Sequence, residues 1–528
     1  MDRETRTAPD AVRGSRLTEW RRGASLALLA VACAAGMAAG YRHETARTSV
    51  PAPVVRHAFE RGLDTLAIAL DGLDTALQRG ASPSAIAAFR AARSDYKHIE
   101  TLLEAFAPTA VEALNGPPEE PSEDKPYVAL GAPAGFQVIE AALFYHDDPG
   151  RDSLASTVRA MRRAVVALRG MTSRVTISDA DLLDALRLEI ARIATLGVAG
   201  FDAPQSGDAI VECAESLEGA RSLVRAAAGE SPDGRAVVPW SRVDSALTRA
   251  AAYLRLHSQF DSLNRLTFIV AYANPAAHAI ADARRTLPAP PALRRLWRQS
   301  AASVYENGAF DASAFAPVDA PSSSAALLAL GGRLFVDPTL SGPRTRSCAF
   351  CHDPSRAFTD GRARSALLTH TSGNDRNTPT LVNAGYAPLL FDDLRARSLE
   401  MQAGMVLASP TEMASSPELA AARLRRDPGY VAAFARAFPR ARDRSITAEQ
   451  LRLALGAYVR SLNALDSRFD RAVQGDTAAL SPTERFGFTV FAGKARCATC
   501  HFLPLVNGTM PPDFVASEAE IIGTPALP

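Results

Sequence analysis

Residues 347–352 read Ser-Cys-Ala-Phe-Cys-His, and residues 496–501 repeat the pattern as Arg-Cys-Ala-Thr-Cys-His. Two cysteines three positions apart lie on one turn of the chain, so both thiols can add to the vinyl groups of a single haem. The histidine that follows can reach the iron as an axial ligand. The pattern therefore predicts two covalent c-type haems, held by Cys348, Cys351 and His352 and by Cys497, Cys500 and His501.

Other uses of a paired cysteine motif are disfavoured. A thioredoxin-type redox pair needs a βαβ setting, which the sequence around neither motif indicates. A zinc knuckle would need both cysteine pairs on one metal ion. The chain has only 6 cysteines and 9 histidines, so two chance copies of the motif are not credible. The remaining cysteines, Cys33 and Cys213, lie far apart and indicate no disulfide framework.

Length and charge set the limits for the rest of the chain. Its 528 residues are enough for several domains with separate cores. The 58 basic residues nearly balance the 57 acidic ones, so the charge gives no indication of a nucleic-acid partner.

The N-terminal region is typical of an exported protein. Arginines precede an uncharged run, residues 24–41, that is rich in Leu, Ala and Val. The run is near the lower limit for spanning a bilayer, so a cleaved signal and a retained membrane anchor both stay open. Lipidation at Cys33 is a further alternative. Because haem is attached to such motifs outside the cytoplasmic membrane, we expect a periplasmic protein with residues 1–45 as signal or anchor.

Helical periodicity dominates residues 51–287. Apolar residues recur there at three- and four-residue steps, which marks the core faces of a helical bundle. Proline-rich stretches at 117–121 and 288–291 predict a surface loop and a linker. The clearest apolar stripes are Phe89, Ala92, Tyr96, Ile99, Leu103 and Phe106, and Leu182, Leu183, Leu186, Ile190, Ile193 and Leu196.

Three segments of this bundle, residues 89–100, 114–118 and 135–140, resemble imelysin-like proteins and the helical domain in front of some bacterial di-haem peroxidases. Imelysin-like proteins carry a histidine, thought to touch a metal, where this chain has Gln137. A neutral amide is a poor transition-metal ligand. Two interpretations stay open, a site between helices and a set of satisfied or solvated polar side chains, for His98, Glu100, Glu104, Glu140 and His146.

From about residue 325 onward the sequence resembles the bacterial di-haem cytochrome c peroxidase and MauG family. The matching motifs are residues 332–342, the first haem motif, 357–361, 376–383, 398–402, 410–413, 427–430 and the second haem motif. The resemblance implies two cytochrome c-type domains, at 296–465 with the peroxidatic haem and at 466–528 with the electron-transfer haem. We therefore expect a mainly α protein, an N-terminal helical bundle followed by two cytochrome c-type domains.

The resemblance also implies roles for two polar residues at the open face of the first haem, Gln402 and Glu412. Cleavage of peroxide needs a group that moves a proton between the two oxygens, and a carboxylate in an apolar pocket can do so. Glu412 is the candidate acid and base, and Gln402 is its catalytic neighbour. The alternative is that Glu412 only caps the turn after Pro410.

Further residues are assigned by position in the family pattern. His370 corresponds to a histidine that closes the first iron in classical members, although an exposed loop histidine is an equal alternative. Asn377 corresponds to an asparagine that contributes to a calcium site between the domains. Asp392 replaces a family tryptophan between the haems and cannot act as a redox-active aromatic bridge.

The expected activity is reduction of hydrogen peroxide to water with electrons from a small cytochrome c or cupredoxin. A MauG-like oxidase acting on another substrate is the second candidate, and a haem electron-transfer or sensing protein with a binding bundle is the third. Family members continue well beyond the second motif, whereas this chain ends at Pro528. We therefore expect a C-terminally truncated copy with an incomplete second domain.

Overall fold

The computed structural model describes residues 53–517 except 81, 117–132, 146–150, 230–237, 291–292, 369–375, 442–444 and 516. The predicted signal or anchor and the proline-rich loop at 117–121 lie outside the described residues. The described residues form one compact unit. None of the helices in the described ranges is long and apolar enough to cross a membrane.

The first part of the unit is a bundle of α-helices. Its helices are α1 (Pro53–Leu77), α2 (Pro83–Phe106), α3 (Pro108–Asn115), α4 (Phe136–Glu140), α5 (Arg151–Met171), α6 (Asp179–Thr195), α7 (Ala209–Ala228), α8 (Trp240–Leu256), α9 (Arg265–Phe268) and α10 (Asn274–Arg284). π-Helical turns follow α4 at Ala141–Tyr145 and α9 at Ile269–Ala273. Local sequence fixes several helix starts: Ser82 caps α2 ahead of Pro83, and Ser178 with Asp181 forms a capping box on α6.

Helix α2 lies at the centre of the bundle, where it packs against α1, α6 and α7. The predicted stripe on α2 is buried at every position except Phe106, which is partly buried, and the stripe beginning at Leu182 is buried throughout. These stripes confirm the predicted core faces.

The second part of the unit carries shorter helices joined by long loops. They are α11 (Ala325–Phe335), α12 (Cys348–Cys351), α13 (Leu399–Ala408), α14 (Pro417–Leu424), α15 (Pro428–Ala437), α16 (Ala448–Ser461), α17 (Arg468–Val473) and α18 (Pro482–Ala492). Short 3₁₀ turns lie at Thr172–Arg174, Gly197–Ala199, Phe260–Ser262, Pro338–Leu340, Pro354–Arg356, Ala384–Tyr386, Thr477–Ala479 and Cys497–Thr499. The described residues contain isolated β-bridges and no strand, so the mainly α prediction is confirmed.

The hydrophobic cores divide the unit in a way the sequence does not indicate. Helix α11 packs against α16 over a separate core beside the first haem motif. The bundle core, in contrast, continues into the segment around Trp297 and Phe310 and into the segment around Phe488 and Phe514. The region of the second haem motif therefore shares its core with the bundle.

Candidate functional site

The first haem motif forms a single helical turn. Helix α12 spans Cys348–Cys351, and the backbone N–H of His352 donates to the carbonyl of Cys348 at 2.9 Å. The three side chains are half-buried. Burial raises the pKa of Cys348 to about 12, and burial also raises the pKa of Cys351. One turn thus presents two protonated thiols and an imidazole, the donor set that a covalent haem requires.

The ring of His352 is oriented for metal binding. Its Nδ1 lies 3.1 Å from the carbonyl oxygen of Phe358. A carbonyl only accepts, so Nδ1 carries the proton in the neutral ring, and Nε2 is then the nitrogen with the lone pair. Burial lowers the pKa of His352, against hydrogen bonds to the backbone of Phe358 and Pro379, which favours the neutral imidazole that metals bind. The residues of the first motif therefore fit a haem.

The second motif has the same local geometry on a 3₁₀ turn. That turn spans Cys497–Thr499, and the N–H of His501 donates to the carbonyl of Cys497 at 2.9 Å. Cys497 is half-buried, whereas Cys500 and His501 are exposed. The shared turn places both thiols and the imidazole together, so the donor set again fits a haem.

The loop that carries Glu412 is held on both sides by backbone hydrogen bonds. The N–H of Leu368 donates to the carbonyl of Thr411 at 2.7 Å, and the N–H of Gly342 donates to the carbonyl of Met413 at 2.7 Å. A Cβ at Gly342 would lie 2.1 Å from the carbonyl oxygen of Ala414, so only glycine permits this approach. The position of Glu412 is thus fixed by the segments before and after the first haem motif.

The side chain of Glu412 is half-buried, and its carboxylate has no hydrogen-bond or ion-pair partner among the described residues. Burial raises the pKa of Cys351, and the negative charges of Asp360 and Glu412 act in the same direction. The backbone N–H of Glu412 donates to Ser409 at 3.3 Å, but its carboxylate caps no N–H in the described ranges. The catalytic role of Glu412 stays a prediction.

Gln402 lies on α13, a helix whose first turn is fixed by the Ser398 cap. A buried ion pair holds the helix to α16, with Arg460 Nη2 2.6 Å from Glu400 Oε1. Gln402 is half-buried, and its amide has no hydrogen-bond partner in the described part of the chain. The role of Gln402 beside the first haem stays a prediction.

An arginine directly before the first motif was missed by sequence reasoning. Arg346 is buried and donates to the carbonyls of Ala366 and Leu367 at 2.7 and 2.5 Å. Its guanidinium also lies 4.6 Å from the ring of Phe350, inside the motif. Arg346 therefore fastens the segment that leads to Leu368 and Thr411 onto the haem motif. Its position beside the motif was the available signal.

The three residues assigned by family position differ in what the structure shows of them. His370 lies outside the described residues. Asn377 is exposed, and its side chain has no partner in the described ranges. Asp392 pairs with Arg376 at 2.6 Å, which gives this position a structural ion pair where an aromatic ring would stand.

Two of the candidate acidic residues in the bundle, Glu100 and Glu104, are paired with protein cations. Glu100 is fully buried, and its Oε1 accepts from Lys97 at 2.6 Å and from Arg192 at 2.7 Å. Its Oε2 accepts from Ser216 at 2.6 Å. Glu104 lies 3.0 Å from the same arginine. Glu100 is therefore buried in a salt-bridge network, and Glu104 is half-buried beside it.

The other polar residues considered for a site between helices do not form one cluster in the described ranges. Glu140 is buried and accepts from the N–H of Ser206 at 2.8 Å, while His98 faces Glu215 at 3.5 Å. His146 lies outside the described residues. Among the residues that the structure describes, no group of three His, Cys, Asp or Glu side chains could hold a metal ion. The satisfied-polar interpretation therefore holds for Glu100, whereas Glu140 Oε2 is buried without a hydrogen-bond partner among the described residues.

The duplicated motif, with two thiols and an imidazole on each turn, is typical of c-type haem proteins. Residues 325–478 match the family model described as di-haem cytochrome c peroxidase, and this segment belongs to that family. The matched segment includes the first motif and Glu412 and ends before the second motif. It begins after the bundle, so the imelysin-like resemblance stays a prediction.

Known relatives match over the same share of the chain. The methylamine utilization protein MauG of Paracoccus denitrificans is 40% identical over 199 residues, 33% of this chain and 51% of that protein. The cytochrome c551 peroxidase of Pseudomonas aeruginosa is 36% identical over 172 residues, 33% of this chain and 49% of that protein. A crystal structure of a MauG-like protein associated with microbial copper homeostasis is 38% identical, with a TM-score of 0.33, and covers 35% of this chain and 54% of its own. The chain spans about half the length of the curated relatives it matches.

Proposed function

We propose that this protein is a periplasmic di-haem c-type peroxidase that reduces hydrogen peroxide to water. The observation that carries the proposal is the Glu412 carboxylate, which is unpartnered in the described ranges and whose loop is hydrogen-bonded to residues on both sides of the first haem motif. When bound, each haem supplies a redox-active iron. Peroxidases among the relatives support the choice of substrate. The proposed electron donor is a small cytochrome c or a cupredoxin.

Glu412 and Gln402 have different roles in the proposed reaction. Reduction of one peroxide to two waters consumes two electrons and two protons, and the O–O bond breaks as a proton arrives on the departing oxygen. Glu412 can take a proton from one peroxide oxygen and deliver it to the other. The Gln402 amide can orient the peroxide by hydrogen bonding but cannot carry the proton.

The remaining assignments belong to the same proposal. Cys348, Cys351 and His352 would hold the first haem through two thioethers and Nε2, and Cys497, Cys500 and His501 would hold the second. His370 is a proposed distal ligand, and Asn377 is a proposed calcium ligand. The proposed domains are 51–287, 296–465 and 466–528, after a leader or anchor at 1–45.

A MauG-like oxidation of another substrate is the second candidate, favoured by the 40% identity to the MauG protein named above. Rapid mixing of peroxide with the half-reduced protein separates the two. A peroxidase returns to rest as fast as a small donor protein supplies electrons. A MauG-like oxidase holds its oxidising equivalents in the presence of that donor and loses them to another substrate.

The Glu412→Gln variant tests the proposed mechanism. We expect it to keep both haems and to slow peroxide turnover by at least about a hundredfold, the usual size of a lost acid-base group. Gln402→Ala should cost less, because water can replace an orienting amide. Stopped-flow mixing with peroxide gives the rates, and intact mass gives the haem count. Glu418→Gln, an exposed glutamate on the next helix, is the matched control. Unchanged turnover in Glu412→Gln would remove that residue from the mechanism.

A further inference from the structure

The residues on either side of the second haem motif both rest on the helical bundle. Arg496, directly before Cys497, donates from Nη1 to the carbonyl of Pro204, and its guanidinium lies 5.5 Å from the centre of the Phe260 ring. Phe502, directly after His501, is 1% exposed and meets the Phe201 ring edge-on at 5.7 Å. The bundle thus holds both ends of the motif.

The bundle surface that receives these residues is built from residues 198–204 and 260–265, here named the docking corner. Arg265 is fully buried and joins its two segments. Its guanidinium donates to the carbonyls of Val198, Phe260 and Leu263 at 2.7, 2.9 and 3.3 Å. Gly200 has φ +83°, and a Cβ there would lie 2.8 Å from the Phe260 ring. The ring is therefore seated against the backbone and presented at a fixed place.

Arg496 connects the docking corner to the turn that carries the thiols. Its backbone is left-handed, with φ 55°, and begins the turn Cys497–Thr499. Its N–H donates to the carbonyl of Gly493 at 2.8 Å, and its carbonyl accepts from the Thr499 hydroxyl at 2.7 Å. A guanidinium fixed on Phe260 and Pro204 therefore also fixes the direction of the turn.

We propose that the docking corner is part of the environment of the second haem, where it positions the Cys497–His501 turn and sets the reduction potential. This inference rests on the proposed attachment of a haem at Cys497 and Cys500. The potential of a haem depends on its burial and on nearby charge. Opening the corner to water, or removing the Arg496 charge, favours the more positive ferric state and lowers the potential.

Substitutions at Phe260 test the inference without touching the motif or changing a charge. In the full chain we expect Phe260→Ala and Phe260→Leu to lower the potential of the second haem and to leave the first unchanged. Spectroelectrochemical titration measures both potentials, and a Cys497→Ala/Cys500→Ala variant assigns the signals. Phe438→Ala is the matched control, because Phe438 is a half-buried ring stacked on Phe434 at 6.1 Å in the first-motif segment.

A double-mutant cycle separates positioning from simple charge removal. If Arg496 acts through Phe260, the reduction potential of the second haem shifts less in Arg496→Ala/Phe260→Ala than the sum of its shifts in the two single variants. Additive shifts, or Phe260 variants with a wild-type second potential, would overturn the docking proposal alone. A wild-type mass without haem on Cys497 and Cys500 would instead overturn the attachment on which it rests. Phe260→Leu keeps apolar volume at the site, so a folded comparison remains if Phe260→Ala is unstable.

Discussion

At the scale of single residues, the bundle interior holds a glutamate whose carboxylate has no hydrogen-bond partner among the described residues. Glu189 is 1% exposed, and both of its carboxylate oxygens lack a hydrogen-bond partner among the described residues. Burial raises the pKa of Glu189 to about 8, and the charge of Glu100 acts in the same direction, while Arg192 and Lys97 oppose it. Glu189 is therefore mostly protonated in the folded protein at neutral pH.

This protonation makes the stability of the fold depend on pH. The folded pKa lies above the ordinary value of 4.5, so between these values the folded protein binds more protons than the unfolded chain. The free energy of unfolding therefore falls as pH rises from about 4.5 to about 8. We expect Glu189→Gln to remove this loss, so that wild type loses about 2–4 kcal/mol relative to the variant between pH 5 and pH 8.

Urea unfolding followed by circular dichroism at pH 5, 6, 7 and 8 measures that difference. Glu112→Gln, at an exposed glutamate on α3, is the matched control and should follow the wild type at every pH. Parallel pH curves for wild type and Glu189→Gln would show that Glu189 is ionised in the folded state.

Other residues of the bundle core show which buried positions could be predicted from the sequence. The stripe of Phe89, Tyr96 and Leu103 was predictable because a local period identifies one buried face. The burial of Lys97 and Glu100 could not be predicted, because their ion-pair partners come from distant parts of the sequence. Lys97 pairs with Asp202, and Glu100 pairs with Arg192. A helix enclosed by three others buries a second face, and only the fold shows whether charges there are paired.

At the scale of elements, the candidate site depends on how α13 and its loop are held. The CxxCH motifs and the position of Glu412 could be predicted from short motifs. The hydrogen bonds of Leu368 and Gly342 to the Glu412 loop could not, because they join segments with no shared pattern. Short motifs predict the chemistry of the site, and the tertiary contacts that support its loop appear only in the structure.

The contact between α13 and α16 gives a prediction at this scale. A Cβ at Gly456 on α16 would lie 2.4 Å from Glu400 Oε1, the atom that pairs with Arg460. Gly456→Ala should push the buried carboxylate from its partner and cost about 2–4 kcal/mol of stability. Gly487→Ala is the matched control, because that helical glycine on α18 faces open space. The control should be neutral or gain up to about 1 kcal/mol.

Thermal unfolding of both variants, monitored by circular dichroism, measures the effect. A Gly456→Ala variant as stable as Gly487→Ala would mean that α13 shifts freely on α16. The ion pair would then be no constraint on Gln402.

At the scale of the whole molecule, the proline-rich junction at 288–291 predicts a domain boundary, yet buried contacts continue beyond it. Trp297, Tyr305 and Phe310 lie in the bundle core. The Tyr305 hydroxyl donates to the carbonyl of Ala194 at 2.8 Å, and the Arg187 guanidinium lies 3.2 Å from the Trp297 ring. Composition marks where the chain is exposed, but it does not show which core the next segment joins.

The last prediction compares two fragments, residues 51–287 and residues 51–311. We expect both to fold as haem-free helical bundles with a cooperative thermal transition, since the helical core lies mostly within 51–287. The longer fragment should be more stable by about 3 kcal/mol, because without the added segment the bundle surface under Trp297, Tyr305 and Phe310 is open to water. For a fragment of this size, that difference raises Tm by about 5–10 °C.

Differential scanning calorimetry gives both transitions, and Tyr305→Ala in the longer fragment should lose much of the gain. Equal Tm values would place residues 296–311 outside the bundle, and a 51–287 fragment without a cooperative transition would contradict the domain boundary.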